Sequence, residues 1–390
     1  MSRQRIVVDA RYVRTRPSGT RTYVEALVQR FPKLAPGGDF HLWVHPEAPN
    51  PLVDAPHVTQ EAVRAAANGP ATLLYPHRLG DVRESDVFHA PFNILGFTLP
   101  CPIVTTILDL SWWERPELNS TNPFLRPIQY AFYNIGIRSA LKRSNRILTI
   151  SNASADVILK LDPTVRDRLR VTYCSCGDEF VPPVDRNASR ERAARLIGSD
   201  ADYYLIVGWN PVGKGHDVAL QAFAAGAPPE HHLVLVRRSA PPRDFLQTLA
   251  ALGVEDRVHW VERAPAEDLI TLMQSALALL QPSRYEGFGI PAVEAMAVGC
   301  PVIASDIPAL VEVMGGAGIH SRVDDTDDLA RAIAKVSAEP ALREELRERG
   351  LERRKAFSWD RTAAATLEAF HEAAAEGPRH KASNAHMVRS

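Results

Sequence analysis

The sequence predicts an α/β protein with two domains, each a parallel sheet covered by helices on both faces. Three observations carry this expectation. Short β-branched runs alternate with helical patterns almost from end to end. A proline-containing break, Phe180-Val181-Pro182-Pro183-Val184, interrupts the alternation near the middle. A length of 390 residues, at about 150 per domain, suggests two or three domains.

The elements follow in order. Residues 5–10 form a short apolar run that reads as a strand, and a turn at 17–19 leads into a helical pattern through Val24, Leu27, Val28 and Phe31. Residues 40–45, 86–90, 102–108 and 146–150 are further strands, bounded by Pro, Asn or Ser. Residues 125–142 are helical by period, and Ser151 or Asn152 can cap the helix after Ile150. Beyond the proline break, residues 203–207, 232–236, 258–261, 277–282 and 301–305 are strands with helical patterns between them. Residues 1–183 and 184–358 are therefore expected as two domains. Residues 359–376 are expected as a helix returning to the first domain, and 377–390 as a disordered tail.

Composition excludes several classes. There are 45 Lys and Arg against 46 Asp and Glu, a formal net charge of −1, which argues against a dedicated nucleic-acid binder. The balance is uneven, since residues 1–33 carry Arg3, Arg5, Arg11, Arg14, Arg16, Arg21, Arg30 and Lys33 against Asp9 and Glu25. That excess suits a domain meeting a phosphorylated or membrane-linked partner. The start MSRQRIVVDARYV lacks the apolar core of a signal peptide, and no stretch reaches the length of a membrane span. Cys101, Cys174, Cys176 and Cys300 are too few for a disulfide framework, and the C-x-C pair lacks zinc or redox spacing. A reduced, cytoplasmic protein with buried thiols is expected.

Residues 283–299 (SRYEGFGIPAVEAMAVG) form the densest constellation. They follow an apolar strand, turn on Gly287 and Gly289, and start a helix with Pro291 in its first turn. Gly299 can end that helix at positive φ. Glycines allow close backbone approach, and a helix N-terminus offers free N–H groups and positive potential, so the segment suits a diphosphate. Glu286 lies in the loop, and Glu294 about one turn into the helix. Carboxylates repel phosphate but can accept bonds from sugar hydroxyls on either side of one. A helix start carrying dipole-favourable acids is the plainer alternative.

The E-x7-E spacing with EGFG-P inside it closely resembles the signature of the family 4 retaining glycosyltransferases, also described as glycosyl transferases group 1. The resemblance spans nearly the whole chain. Residues 9–23 resemble the family's N-terminal Gly-rich loop, and 87–91 and 105–111 its next two active-site loops. Gly213-Lys214-Gly215 resembles its basic phosphate-binding motif, and 302–318 and 357–362 its downstream segments. This implies the GT-B fold, two Rossmann-like domains with parallel sheets facing across a cleft.

The resemblance also implies a nucleoside-diphosphate sugar donor held mainly by the second domain. Glu286 and Lys214 become the catalytic candidates, Glu286 accepting from donor-sugar hydroxyls and Lys214 neutralising the leaving diphosphate. Glu294 holds the ribose, backbone N–H groups around Gly287, Phe288, Gly289 and Ile290 meet sugar and diphosphate, and Arg263, Gly213 and Asn210 complete the donor side. Gly19, Thr20, Arg21, His89, Asp109 and Trp112 stand on the acceptor or cleft side. The implied reaction moves a hexose with retention to a glycan or lipid-linked acceptor, without cofactor or metal. The acceptor attacks the face the diphosphate leaves, and a diphosphate oxygen takes the proton. GDP-mannose is the preferred donor, by loose resemblance to bacterial polysaccharide mannosyltransferases.

The chain departs from the family pattern at three positions. Arg21 stands where a second glycine is usual, Leu108 where many members carry His, and Gly213 where the basic motif has Arg. These departures keep open a nucleotide-sugar-binding paralogue without turnover. A glycosidase using Glu286 and Glu294 is possible on chemistry alone but leaves Lys214 unexplained. Residues 208–214 fit G-x-x-x-x-G-K after a strand, but Gly215 replaces the Mg²⁺-ligating Ser or Thr of a P-loop NTPase.

Asp325-Thr326-Asp327 and Asp200-Ala201-Asp202 match D-x-D, the first placed to cap a helix. His89 ends a strand at the carboxyl edge, where open sheets bind ligands. Trp112 and Trp113 either line an acceptor pocket or pack their loop. Arg126, Arg138, Lys142, Arg143 and Arg146, beside Phe124, Tyr130, Phe132 and Tyr133, read as a solvated helix face or as a contact for anionic lipid on the inner membrane face.

Overall fold

The computed structural model describes residues 4–379 apart from 16–17, 85, 120–121, 123, 209–211, 238–240, 242 and 263. Two compact units emerge, one of Met1–Cys174 with Ser358–Ser390, the other of Ser175–Phe357. The division falls ahead of the proline pair at 182–183, where a boundary at 183/184 was expected. The reason is local: the Val181 carbonyl accepts from Gln274 Nε2 at 2.9 Å, inside the second unit. Of the expected tail, residues 380–390 lie outside the described residues.

The first unit holds β1 (Arg5–Asp9), β2 (Asp39–Val44), β3 (Val58–Ala62), β4 (Val87–Ala90), β5 (Ile103–Ile107), β6 (Arg146–Thr149) and β7 (Leu169–Val171). They form one parallel sheet in the order β3-β2-β1-β4-β5-β6-β7. Every residue of β4 and β5 is buried, which explains their unbroken apolar or β-branched runs. The helix Gly19–Leu34 buries Tyr23, Val24, Leu27, Val28 and Phe31, one stripe at helical spacing. Against it packs the helix Trp359–Glu376: Phe370 meets Phe31 at 5.5 Å between ring centroids, and Trp359 meets Tyr23 at 5.9 Å. Arg146 and Arg170, at the starts of β6 and β7, clamp Glu372 of that helix at 2.6 Å each.

The second unit holds β8 (Tyr203–Val207), β9 (His232–Arg237), β10 (Val258–Glu262), β11 (Ala278–Gln281), β12 (Val302–Ser305) and β13 (Ile319–Ser321), again all parallel. Their order is β10-β9-β8-β11-β12-β13. The winding direction reverses between β1 and β4 in one sheet and between β8 and β11 in the other. Such switch points splay the following loops apart and leave a crevice beyond the carboxyl ends of the strands.

Candidate active site

At the switch point of the second unit, the loops after β8 and β11 each lead into a helix, His216–Gly226 and Ile290–Val298. Both helices start on a left-handed glycine, Gly215 at φ 63° and Gly289 at φ 106°, and neither has a side-chain cap. By contrast Ser18, Ser151, Asp185, Asp325 and Ser358 cap their helices with side-chain oxygens. The first N–H groups of the two glycine-started helices are therefore not taken by an N-cap side chain, and the helix dipoles add positive potential there. A larger residue is disfavoured at either glycine: a Cβ on Gly215 would collide with the Pro282 carbonyl oxygen, and one on Gly289 would stand 2.5 Å from Leu310 Cδ2.

The two loops are joined through side chains. Lys214 Nζ donates to Glu286 Oε1 at 2.5 Å. Gln281 Nε2 and Ser283 Oγ donate to the same oxygen at 3.0 and 2.7 Å. With three donors on Oε1, Oε2 remains for a further donor such as a sugar hydroxyl. Burial favours the neutral acid of Glu286, but the Lys214 charge and these hydrogen bonds outweigh it and hold its pKa below the ordinary value. Burial, then the Lys214 charge, push His216 down to about 4, so this first residue of its helix stays neutral.

Arg284 ties three segments together. Its Nη1 donates to the Val212 carbonyl at 2.5 Å, its Nη2 to Asp217 at 2.7 Å and its Nε to Asp324 at 2.6 Å. Its backbone N–H donates to Gly213 O at 2.9 Å. These bonds bracket Lys214 on both sides and fix its approach to Glu286.

The other donor-side candidates are distributed as follows. Glu294 is half-buried on the helix Ile290–Val298, whose first residue is Ile290. Phe288 turns its ring into the interior against Phe357 at 5.4 Å, so only its backbone can meet a ligand. Asn210 and Arg263 lie outside the described residues. Asp325 caps the helix Thr326–Ala338 by accepting from Asp328 N, and Asp202 pairs with Arg190 at 2.7 Å. Among the described residues no group of three or more His, Cys, Asp and Glu is placed to hold a metal ion.

In the first unit, the switch point holds a buried pair. Arg11, with no exposure, grips Asp9 through Nε at 2.7 Å and Nη2 at 2.5 Å, and its Nη1 donates to Ala65 O and Thr72 Oγ1. Arg5 pairs with Asp81 and Asp86, Arg21 with Glu25, and Arg30 with Asp360. Much of the N-terminal basic excess is thus consumed within the unit, which corrects its reading as a surface charge awaiting a partner. Gly19 and Thr20 begin the helix Gly19–Leu34.

His89 is a second correction. It is wholly buried, with Nε2 3.0 Å from Thr106 Oγ1 and its ring 5.1 Å from that of Phe370. Burial lowers its pKa to about 3, so it is a neutral core residue rather than one facing a ligand. Asp109 receives the Ser111 N–H at 2.5 Å, and Trp112 stacks on Tyr133 at 4.8 Å, which fastens that loop to the helix Arg126–Arg143.

Residues 187–353 match the family described as glycosyl transferases group 1. That stretch, within the second unit, belongs to the family. The chain is 28% identical over 310 residues to O-antigen chain mannosyltransferase B of Escherichia coli, covering 76% of this chain and 78% of that one. Its fold is shared with sucrose-phosphate synthase of Thermosynechococcus elongatus (TM-score 0.73, 21% identity, 96% and 100% covered). It is also shared with Anabaena HepE in complex with UDP and glucose (TM-score 0.69, 16% identity, 94% and 99% covered).

Sequence reasoning missed several parts of this glycosyltransferase. Gln281 and Ser283, which hold Glu286, were visible only as a polar end to an apolar strand. Asn93 carried no signal at all, yet it is buried and its Oδ1 accepts from Leu108 N and Asp109 N at 3.0 and 3.3 Å, joining the loops after β4 and β5. Arg284 stood within the quoted motif without a role.

Proposed function

We propose that this glycosyltransferase moves a hexose, mannose by preference, from a nucleoside-diphosphate sugar to a hydroxyl of a glycan or lipid-linked acceptor, with retention at the anomeric carbon. One observation carries the reading: Lys214 and Glu286 meet at a switch point between two helix N-termini that lack side-chain caps. The diphosphate would lie across those N-termini, where its growing charge is stabilised by N–H groups and Lys214. Oε2 of Glu286 would accept from a donor-sugar hydroxyl, and Glu294 would bind the ribose. The acceptor oxygen bonds to the anomeric carbon as the carbon–oxygen bond to the diphosphate breaks on the same face, and the acceptor proton passes to a diphosphate oxygen. The protein's part is positioning and leaving-group stabilisation.

The mannose preference follows the E. coli relative, while HepE, at lower identity, was solved with UDP and glucose. A thermal-shift panel of UDP, GDP, ADP and their sugars is expected to single out one nucleotide, with turnover of its sugar over an acceptor panel. Binding without donor consumption in a single-turnover assay would instead make the protein a non-catalytic paralogue. Because cationic protein groups occupy the diphosphate site, turnover is expected to survive EDTA.

Acceptor capture at a membrane is part of the reading. Phe124, Leu125, Ile128 and Ile135 are exposed along or beside the helix Arg126–Arg143, and no described helix is long and apolar enough to cross a bilayer. Exposed apolar side chains beside cations suit the interface of an anionic bilayer. Flotation with anionic but not neutral vesicles is the expected result.

A further inference from the structure

A cavity of about 460 Å³ lies in the first unit along the C-terminal half of the helix Arg126–Arg143. Its lining brings four cations, Arg138, Lys142, Arg168 and Arg379, to one carboxylate, Asp162. Asp162 Oδ1 accepts from Thr164 N at 3.0 Å and from Thr164 Oγ1 at 2.6 Å, and its single charge acts on Arg168. Glu376 acts electrostatically on Arg168 and is itself acted on by Arg379, but it is engaged by Arg146 at 2.6 Å. Among the described residues, Arg138, Arg168 and Arg379 make no ion pair of their own.

Two of these cations are fixed in advance. Arg168 donates Nη2 to Leu141 O at 3.0 Å and Nη1 to Ser144 O, closing the end of the helix. Arg138 lies over the Trp113 ring at 5.0 Å. A guanidinium so held still has N–H donors to offer. Burial, then the Arg379 charge, lower the Arg168 pKa, and the opposing charges of Asp162 and Glu376 do not restore it. Lys142 and Arg168 stand just ahead of β6 and β7, at the amino-end edge of the sheet. Ligand loops of open α/β sheets lie beyond the opposite, carboxyl edge. Ile137, Leu141 and Leu161 close the rest of the wall.

We infer that this cavity is a second anion site, separate from the loops around Lys214 and Glu286, and shaped for a phosphomonoester. A dianion with three terminal oxygens matches several converging cations, at least two of them pre-set guanidinium forks, better than a single carboxylate does. The inference does not rest on the transfer reaction. The phosphate belongs either to a small soluble ester or to a lipid headgroup.

The test uses the full chain in two arms. Glycerol 3-phosphate is titrated calorimetrically into the wild type, Lys142→Ala/Arg379→Ala and Lys214→Ala. In parallel, phosphatidylcholine vesicles with and without phosphatidic acid are floated with the same proteins. Saturable binding of glycerol 3-phosphate, weakened about tenfold or more by the double variant and unchanged by Lys214→Ala, identifies a soluble ester. Flotation that needs phosphatidic acid and is lost only in the double variant identifies a headgroup. If neither probe binds, if the double variant binds like the wild type, or if only Lys214→Ala weakens binding, the inference is overturned. Should the double variant lose its circular dichroism spectrum, Arg379→Glu alone, near the end of the described chain, must give the same loss. A failed donor reading leaves these arms unaffected, because it concerns Lys214.

Discussion

Glu286 receives three donors on one oxygen, and that asymmetry makes it testable. Glu286→Gln keeps the shape but removes the charge opposite Lys214. Turnover is expected to fall about 100-fold or more while nucleoside-diphosphate affinity changes only a few-fold, as steady-state kinetics and calorimetry will show. The sign of the pH effect follows from its lowered pKa. The folded carboxylate holds its proton less tightly than the unfolded one, so the pair's stabilisation is complete above the ordinary glutamate value of about 4.3. That stabilisation is lost as pH falls through the lower folded value. The acid limb of kcat should therefore lie below about 4.3.

If Lys214 neutralises the leaving group as proposed, Arg284, bonded on either side of it in the chain, is a positioning residue. Arg284→Lys can replace one of its side-chain bonds but not the fork. A roughly tenfold loss in kcat with KM little changed is expected, partly recovered relative to Arg284→Ala. Equal kcat in the Lys and Ala variants would remove the positioning role.

The helix Trp359–Glu376 and the strands it covers behave as one element of stability. Phe370 touches both Phe31 and His89, so Phe370→Ala should cost about 3–5 kcal/mol, measured by urea denaturation. His89 gives the same element a pH signature. Its folded pKa of about 3 lies under an unfolded value of about 6.5, so between those limits the unfolded chain binds more protons. Stability then falls as pH drops, approaching 1.4 kcal/mol per unit from this residue alone (about one RT ln 10). His89→Gln should flatten that slope, whatever it does to stability at pH 7.

Elements also differed in how plainly the sequence announced them. The central strands were legible because burial on both faces demands a continuous apolar run, as in β5 and β8. The strands that escaped notice, β3, β7 and β13, are all at sheet edges. β3 reads VTQEA and has no fully buried residue, while β7 and β13 have three residues each. A short, half-covered strand needs no apolar pattern, so none was there to find. Helix ends were clearer, because Ser151, Asp325 and Gly299 act through local backbone chemistry.

At the scale of the molecule, the two units differ in continuity. Ser175–Phe357 is one uninterrupted stretch, whereas the other unit needs two stretches. A 175–357 fragment is expected to unfold cooperatively and to bind the donor's nucleoside diphosphate, without transfer activity. A 1–174 fragment is expected not to fold until a peptide carrying residues 358–379 is supplied. Dichroism and calorimetry on the two fragments check both outcomes. Topology also explains what the sequence concealed at the site. The motif at 283–299 was readable because its glycines, proline and carboxylates are neighbours in the chain. Lys214 and Glu286 are 72 positions apart, and only the adjacency of β8 and β11 brings them into contact. Arg11 read as a surface charge because nothing in its neighbourhood marks Ala65 and Thr72 as its partners.

The late position of the helix Trp359–Glu376 sets an order of completion during synthesis. Translation delivers the strands of the first unit well before this helix emerges from the ribosome, with the second unit made in between. The nascent first unit must therefore wait, with the surface meant for Phe370 and Trp359 uncovered, while the later-made second unit can already close. That interval is when a chaperone has most to hold. A premature stop just beyond Phe357 would leave every loop of the second unit intact and yet yield a chain destined for proteolysis.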